Sequence, residues 1–160
     1  MPLEVVLGSI RSDAPSRVPT PLGKEPAGRD RSVRILVVDD EPSICKALSA
    51  ALSRAGYDVA TAQSGEAALA TVRAEHVDVL LIDLRIPDMR GDIIFEVAAA
   101  TQPQLAYQTV FMTGDITEKA ASLVAACKCV LLRKPFDLAD LFDAIAAIAP
   151  NLDREKDQTA

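Results

Sequence analysis

Residues 79–88 read VLLIDLRIPD, and this stretch decides the fold class. It opens with four consecutive aliphatic residues and then carries a carboxylate at Asp83. A short unbroken apolar run is typical of a strand that is covered on both faces, as in the interior of a parallel sheet. A buried strand that ends in an acid raises the question of what that acid does.

Strand-like and helix-like segments alternate on both sides of this stretch. Apolar runs predict strands at 33–38, 58–62, 77–82, 108–112 and 129–132. Helical periodicity predicts helices at 42–55, 64–75, 91–101 and 117–126, and a last helix that Asp137 caps. Since each crossover must be right-handed, this order predicts an α/β fold: a five-stranded parallel sheet, doubly wound as (βα)5, with helices on both faces.

The composition limits the classes of function. The chain has 160 residues, of which 49% are hydrophobic and only 4% aromatic, so one domain with an aliphatic core is expected. The formal net charge of −6 argues against direct nucleic-acid binding, because nothing neutralises a phosphate backbone. No apolar run reaches the roughly 18 residues that span a bilayer, so we expect no membrane segment and a cytoplasmic protein.

The ends of the chain differ from its middle. Residues 1–32 are rich in proline and glycine and lack periodicity, which predicts a disordered or weakly ordered leader. The folded domain is predicted to span 33–150, followed by a polar C-terminal tail at 151–160. Three cysteines have neither disulfide-framework spacing nor a complete metal-site spacing, and we interpret them as reduced thiols: Cys45, Cys127 and Cys129.

Residues with chemical potential follow four of the predicted strands. Asp39 and Asp40 follow the first, Asp83 the third, Thr113 the fourth and Lys134 the fifth. The C-terminal ends of parallel strands share one edge of the sheet, so these side chains are expected to gather there. Crowded carboxylates repel one another unless a hard cation is present, and their oxygens suit Mg²⁺. Each residue alone would be an ordinary helix cap or surface group, but their joint occurrence is the strong signal.

Four motifs carry these residues: VVDDEP at 37–42, LLIDLRIPDMRG at 80–91, VFMTGD at 110–115 and LLRKPF at 131–136. Together they resemble the CheY-like receiver domain of bacterial two-component response regulators, and the resemblance extends over about 33–150.

The resemblance implies a role for each residue at the strand ends. It implies that Asp83 accepts a phosphoryl group and that Asp39 and Asp40 hold Mg²⁺ together with Asp83. Thr113 and Lys134 would contact the phosphoryl group. By the same analogy, the backbone carbonyl of Arg85 would be a further metal ligand.

Two more positions are judged against the family pattern. Pro135 matches a site where the Lys–Pro bond is commonly cis. Leu131 occupies a position where the family usually has Tyr or Phe, a ring that changes rotamer when the hydroxyl moves. A leucine cannot supply that aromatic switch, which puts in question the coupling to the face formed by helix 4, strand 5 and helix 5.

The implied function is that of a single-domain response regulator. A histidine kinase or histidine phosphotransfer protein would donate the phosphoryl group, and the output would pass through protein contacts. These contacts would be a downstream target on the helix 4–strand 5–helix 5 face or a phosphorylation-dependent homodimer. The protein would not be an enzyme beyond self-catalysed phosphotransfer and dephosphorylation. Ten polar residues after the last helix favour a stand-alone receiver, unless the chain is a fragment of a larger regulator.

Three other interpretations stay open at this point. A haloacid-dehalogenase-like phosphohydrolase also has an aspartate after a buried strand, but it needs a second acid where this chain has Arg85. A flavodoxin-like cofactor binder would not place three acids at 39–41, since they repel phosphate. A receiver-like scaffold that works without phosphorylation is kept open by Leu131.

Overall fold

The computed structural model describes residues 32–115, 117–127 and 129–148. The predicted leader at 1–32 and the tail at 151–160 lie almost wholly outside these residues. Five strands are formed: β1 (Arg34–Val38), β2 (Asp58–Ala62), β3 (Val79–Asp83), β4 (Thr109–Thr113) and β5 (Val130–Arg133). Five helices alternate with them: α1 (Pro42–Arg54), α2 (Gly65–Ala74), α3 (Gly91–Thr101), α4 (Glu118–Cys127) and α5 (Leu138–Ile148). A short 3-10 turn at Pro103–Ala106, which periodicity did not predict, follows α3.

The strands form one parallel sheet in the order β2-β1-β3-β4-β5. This confirms the predicted five-stranded parallel sheet of an α/β fold. The strand order changes direction between β1 and β3, and such a switch point opens a crevice at the C-terminal ends of the strands. All residues of β3 are buried, as the unbroken apolar run predicted.

Apolar side chains cover both faces of the sheet. Successive strand residues point to opposite faces, so Ile35 and Val37 join one layer, which packs against α1 and α5. Leu36 and Val38 join the other, which packs against α2, α3 and α4. Each face of the sheet therefore has its own core.

The strands predicted at 77–82, 108–112 and 129–132 lie one or two residues nearer the C-terminus in the structure. Pairing with neighbouring strands sets these bounds, and periodicity does not register pairing. As a result, Asp83 and Thr113 are the last residues of β3 and β4 rather than the first residues of the loops that follow.

Helix ends follow the signals in the sequence. The Ser64 hydroxyl accepts a hydrogen bond from the Ala67 amide at 3.1 Å, which caps α2. The Asp137 carboxylate accepts one from the Asp140 amide at 2.9 Å at the start of α5. Gly56 ends α1 with a φ of 102°. Within the part of the chain that the structure describes, no helix is long and apolar enough to cross a membrane.

Candidate phosphoryl-acceptor site

Three carboxylates meet where β1 and β3 end. Asp39 and Asp40 follow β1, and Asp83 is the last residue of β3. Because these strands are paired neighbours, their ends coincide, and one carboxylate oxygen from each residue lies within 4.8 Å of the others. Asp39 is fully buried and Asp83 is 7% exposed. The structure thus brings together the three acids that the sequence placed at this edge.

Lys134 lies directly after β5 and reaches this cluster. Its ammonium donates hydrogen bonds to Asp39 Oδ2 at 2.7 Å and to Asp83 Oδ2 at 2.9 Å. Burial alone would lower the pKa of Lys134, but the two carboxylates outweigh it, and the pKa is raised. Three carboxylates and one ammonium formally leave two negative charges at the site.

The donor set suits a hard divalent cation. All three groups offer carboxylate oxygens, which Mg²⁺ and Ca²⁺ prefer over sulfur or nitrogen. Asp39 Oδ1 accepts the Glu41 amide at 3.0 Å, so the buried acid is held in a fixed orientation. Among the described residues, the Asp40 carboxylate has no hydrogen-bond or ion-pair partner, which leaves its oxygens free for a ligand.

Thr113 is buried at the end of β4, 2% exposed. Its hydroxyl donates to the Asp115 carbonyl at 3.0 Å and accepts from the Asp115 amide at 3.1 Å. The Lys134 amide donates to the Thr113 carbonyl at 2.8 Å, so the ends of β4 and β5 are joined. The hydroxyl therefore belongs to the same edge as the acids but is bonded to its own loop.

Arg85 connects two loops at this edge. Its amide donates to Asp83 Oδ1 at 3.0 Å, and its guanidinium donates to Asp115 Oδ2 at 2.9 Å. Both side chains of this ion pair are well exposed. Sequence reasoning identified Arg85 but missed Asp115, because an acid two residues after a strand is unremarkable until its partner is seen.

The loop after β3 packs closely against the acceptor strand. A Cβ atom at Gly91 would lie 2.6 Å from the Asp83 carbonyl oxygen and 2.7 Å from Leu84 Cα, so only glycine fits there. The Gly91 amide donates to the Leu84 carbonyl at 3.1 Å, which closes the loop. The strand end and the start of α3 thus hold one another in place.

Two other predicted positions lie on or just after β5. The Lys134–Pro135 peptide bond is cis, as the resemblance implied. Leu131 pairs in register with Phe111 and is half-buried in the layer under α3 and α4. Leu131 takes no part in the hydrogen bonds that join Lys134 to Asp39 and Asp83.

An apolar depression of about 450 Å³ adjoins Lys134. It is lined by residues of α1 and of the segment after β5: Ile44, Ala47, Leu48, Lys134, Pro135 and Phe136. The acid cluster therefore has an apolar surface beside it, on the side of α1.

Comparisons with known proteins agree on one family. A family model described as the response regulator receiver domain matches residues 35–146. The transcriptional regulatory protein TcrA of Mycobacterium tuberculosis is 35% identical over 125 residues, which cover 76% of this chain and 48% of TcrA. The transcriptional regulatory protein GlrR of Escherichia coli is 32% identical, with 72% of this chain and 26% of GlrR covered. This chain spans about half or less of the length of these two relatives.

Solved structures agree with this assignment. A CheY-like receiver domain protein from Methanospirillum hungatei has a TM-score of 0.69 at 26% identity, covering 79% of this chain and 98% of that one. The response regulator TrrA from Thermotoga maritima, solved in complex with Mg²⁺ and BeF, has a TM-score of 0.64 at 25% identity. That match covers 72% of this chain and 98% of TrrA.

Proposed function

The chain belongs to the response regulator receiver domain family, a family of signalling domains, and we propose that it accepts a phosphoryl group on Asp83. The observation that carries the proposal is the Lys134 ammonium, which bonds at once to Asp83 and to the buried Asp39. An ammonium in that position orients the carboxylate nucleophile, and it can then form hydrogen bonds to the negatively charged oxygens of an incoming phosphoryl group. Membership of this family leaves the phosphohydrolase and cofactor-binder interpretations without support.

Hydrogen bonds to both of its oxygens orient the Asp83 carboxylate. Arg85 donates to Oδ1 and Lys134 donates to Oδ2. In transfer from a phosphohistidine, an Asp83 oxygen forms a bond to phosphorus while the P–N bond breaks, and the imidazole leaves with that electron pair. Lys134 would then share its hydrogen bonds with the phosphoryl oxygens and stabilise their charge.

Asp39, Asp40 and Asp83 would hold Mg²⁺, with the Arg85 carbonyl as a further ligand. When bound, the ion would neutralise negative charge on the transferred group and relieve the repulsion between the acids. Thr113 would contact the phosphoryl group by exchanging its bond to the Asp115 carbonyl for one to a phosphoryl oxygen. That exchange would draw the loop after β4 toward Asp83.

Partners are proposed from the surfaces beside the site. The phosphoryl donor would be a histidine kinase or phosphotransfer protein that docks on the apolar depression next to Lys134. The output would use the face formed by α4, β5 and α5, since β5 is an edge strand and Leu131 lies on it. The alternative form of this output would be a phosphorylation-dependent homodimer.

Uptake from a small donor tests the acceptor. Wild type incubated with acetyl phosphate and Mg²⁺ should gain the mass of one phosphoryl group, and Asp83→Asn should gain none. Asp58→Asn, which removes an exposed acid at the opposite end of the sheet, is the matched control and should be phosphorylated like wild type. Absence of an adduct from acetyl phosphate and from a cognate kinase would favour a scaffold that works without phosphorylation.

A second experiment separates docking from chemistry. Ile44→Gln places a polar but uncharged side chain in the apolar depression, so it adds no charge beside Lys134, which lines the same depression. Transfer from a protein donor should slow, while uptake from acetyl phosphate should keep its wild-type rate. Equal slowing with both donors would show that the substitution disturbs the site itself rather than a docking surface.

A further inference from the structure

Asp88 joins the loop after β3 to the start of α2. Its carboxylate accepts the Gly65 amide at 2.8 Å and the Glu66 amide at 3.1 Å. The first amides of a helix have no partner within the helix. Usually the side chain of the residue just before the helix accepts a hydrogen bond from one of them. Here Ser64 serves the Ala67 amide, and a side chain from a different element serves the two amides before it.

Backbone packing shows that this contact is close. A Cβ atom at Gly65 would lie 2.8 Å from Met89 Cβ and 3.1 Å from Ile94 Cδ1. The first turn of α2 therefore rests directly on the loop and on α3. The loop between β3 and α3 is therefore packed at two points, near its middle at Met89 against Gly65 and at its end at Gly91 against Asp83.

The charge of Asp88 suits this position. Hydrogen bonds from the Gly65 amide and then the Glu66 amide lower the pKa of Asp88. An ionised carboxylate also complements the positive end of the helix dipole. The contact is therefore a charge-assisted one at neutral pH.

The same loop carries Arg85, one of the two residues that hydrogen-bond to the acceptor. Arg85 lies three residues before Asp88, and its amide is bonded to Asp83 Oδ1. If the loop drifted away from α2, this amide would move and Asp83 would lose one of its two hydrogen bonds. The proposed carbonyl ligand of Arg85 would move as well.

We propose that Asp88 is a positioning residue for the acceptor, which holds the loop at 84–90 on α2 and thereby keeps Arg85 aligned with Asp83. This inference rests on the proposed function, since alignment matters for Mg²⁺ binding and phosphoryl uptake. The alternative is that Asp88 is an ordinary helix cap whose loss destabilises α2 and nothing else.

Three variants separate these alternatives. Asp88→Ala removes the link, Ser64→Ala removes the other cap of the same helix without touching the loop, and Glu66→Gln removes a nearby negative charge. Amide exchange by NMR, Mg²⁺ titration by calorimetry and acetyl phosphate uptake are measured on each full-length chain. Asp88→Ala and Ser64→Ala should both lower the melting temperature.

Only Asp88→Ala should speed exchange of the Arg85 amide and weaken Mg²⁺ binding, by about tenfold, the low end of the cost of losing an outer-shell partner. Asp88→Asn keeps an acceptor for the Gly65 amide and should recover part of the loss, and it replaces Asp88→Ala if that variant does not fold. Equal effects of Asp88→Ala and Ser64→Ala on exchange and Mg²⁺ affinity would overturn the proposal. If wild type takes up no phosphoryl group, the proposed function fails, and exchange at Arg85 still decides the positioning role.

Discussion

Leu131 occupies the edge strand β5 without bonding to the acids or to Lys134. A tyrosine there would add a ring and a hydroxyl to the face formed by α4, β5 and α5 while leaving the acceptor untouched. Leu131→Tyr is therefore expected to change affinity for the cognate kinase or target more than it changes the phosphorylation rate. Binding is compared with both proteins fully phosphorylated, and equal affinities would refute the expectation.

Cys129 illustrates how burial controls a thiol. Burial raises the pKa of Cys129, and the neighbouring Cys127 raises it further. The Cys129 thiol donates to the carbonyls of Ala106 and Cys127, each at 3.5 Å. Since only the thiolate reacts, alkylation of Cys129 by iodoacetamide at pH 8 should be at least about tenfold slower in the folded protein than in guanidinium, one pKa unit being a factor of ten. Peptide mass spectrometry reads the site, and equal rates in the folded and unfolded chain would contradict the raised pKa.

The sequence was enough to predict which residues lie at the strand ends, but it was not enough to predict the hydrogen-bond partners of their side chains. Asp39, Asp83 and Lys134 could be predicted to converge because parallel strands bring their C-terminal ends to one edge. The bonds of Asp88 to α2 and of Arg85 to Asp115 depend on loop conformation and rotamers. No spacing rule specifies those, so they became visible only in the structure.

At the level of elements, the end of the sheet opposite the acids is closed by Gln102, at the exit of α3. Its amide nitrogen donates to the carbonyls of Val72 and Glu75, both at 2.7 Å, and its oxygen accepts the Val77 amide at 2.9 Å. Val77 is fully buried, so its N–H group has no access to water. One side chain thus joins the end of α2, the entry to β3 and the end of α3.

Gln102→Ala should cost about 1–3 kcal/mol in the free energy of unfolding, since it leaves the buried Val77 amide without an acceptor. Urea unfolding followed by circular dichroism measures this loss. Gln63→Ala is the control, because Gln63 is exposed and its change should stay within about 0.5 kcal/mol. Phosphoryl uptake should be unaffected in both, and a Gln102→Ala variant as stable as Gln63→Ala would show that the network contributes little.

Element type was predictable along most of the chain because hydrophobic periodicity is strong here, and the central strand β3 is buried as its apolar run predicted. The bounds of β3, β4 and β5 were shifted because ladder partners decide where a strand begins and ends. The turn at Pro103–Ala106 was missed because four residues are too few to show a period.

For the whole molecule, the fold holds a cluster of like charges at one edge of the sheet. Two apolar layers hold β1 and β3 side by side, and this pairing forces Asp39, Asp40 and Asp83 together. Lys134 bonds to two of these carboxylates, and Asp40 has no partner of its own among the described residues. The core thus stabilises an arrangement that a bound cation would stabilise further.

Asp40→Asn should therefore change stability in opposite directions with and without Mg²⁺. In chelator, removing one of the crowded charges should raise the free energy of unfolding by about 1 kcal/mol, the repulsion of unit charges about 4 Å apart in a water-like medium. In Mg²⁺ at about 100 times its dissociation constant, wild type should gain about 2.7 kcal/mol from binding, which the variant with its weakened site largely lacks. The order of the two melting temperatures is then expected to reverse on adding Mg²⁺, with Ca²⁺ and Na⁺ at matched ionic strength as controls for site binding and screening. A variant that is less stable than wild type in chelator would show that the Asp40 carboxylate stabilises the apo protein. A difference in stability between the two proteins that stays constant at every Mg²⁺ concentration would remove Asp40 from the proposed ligand set.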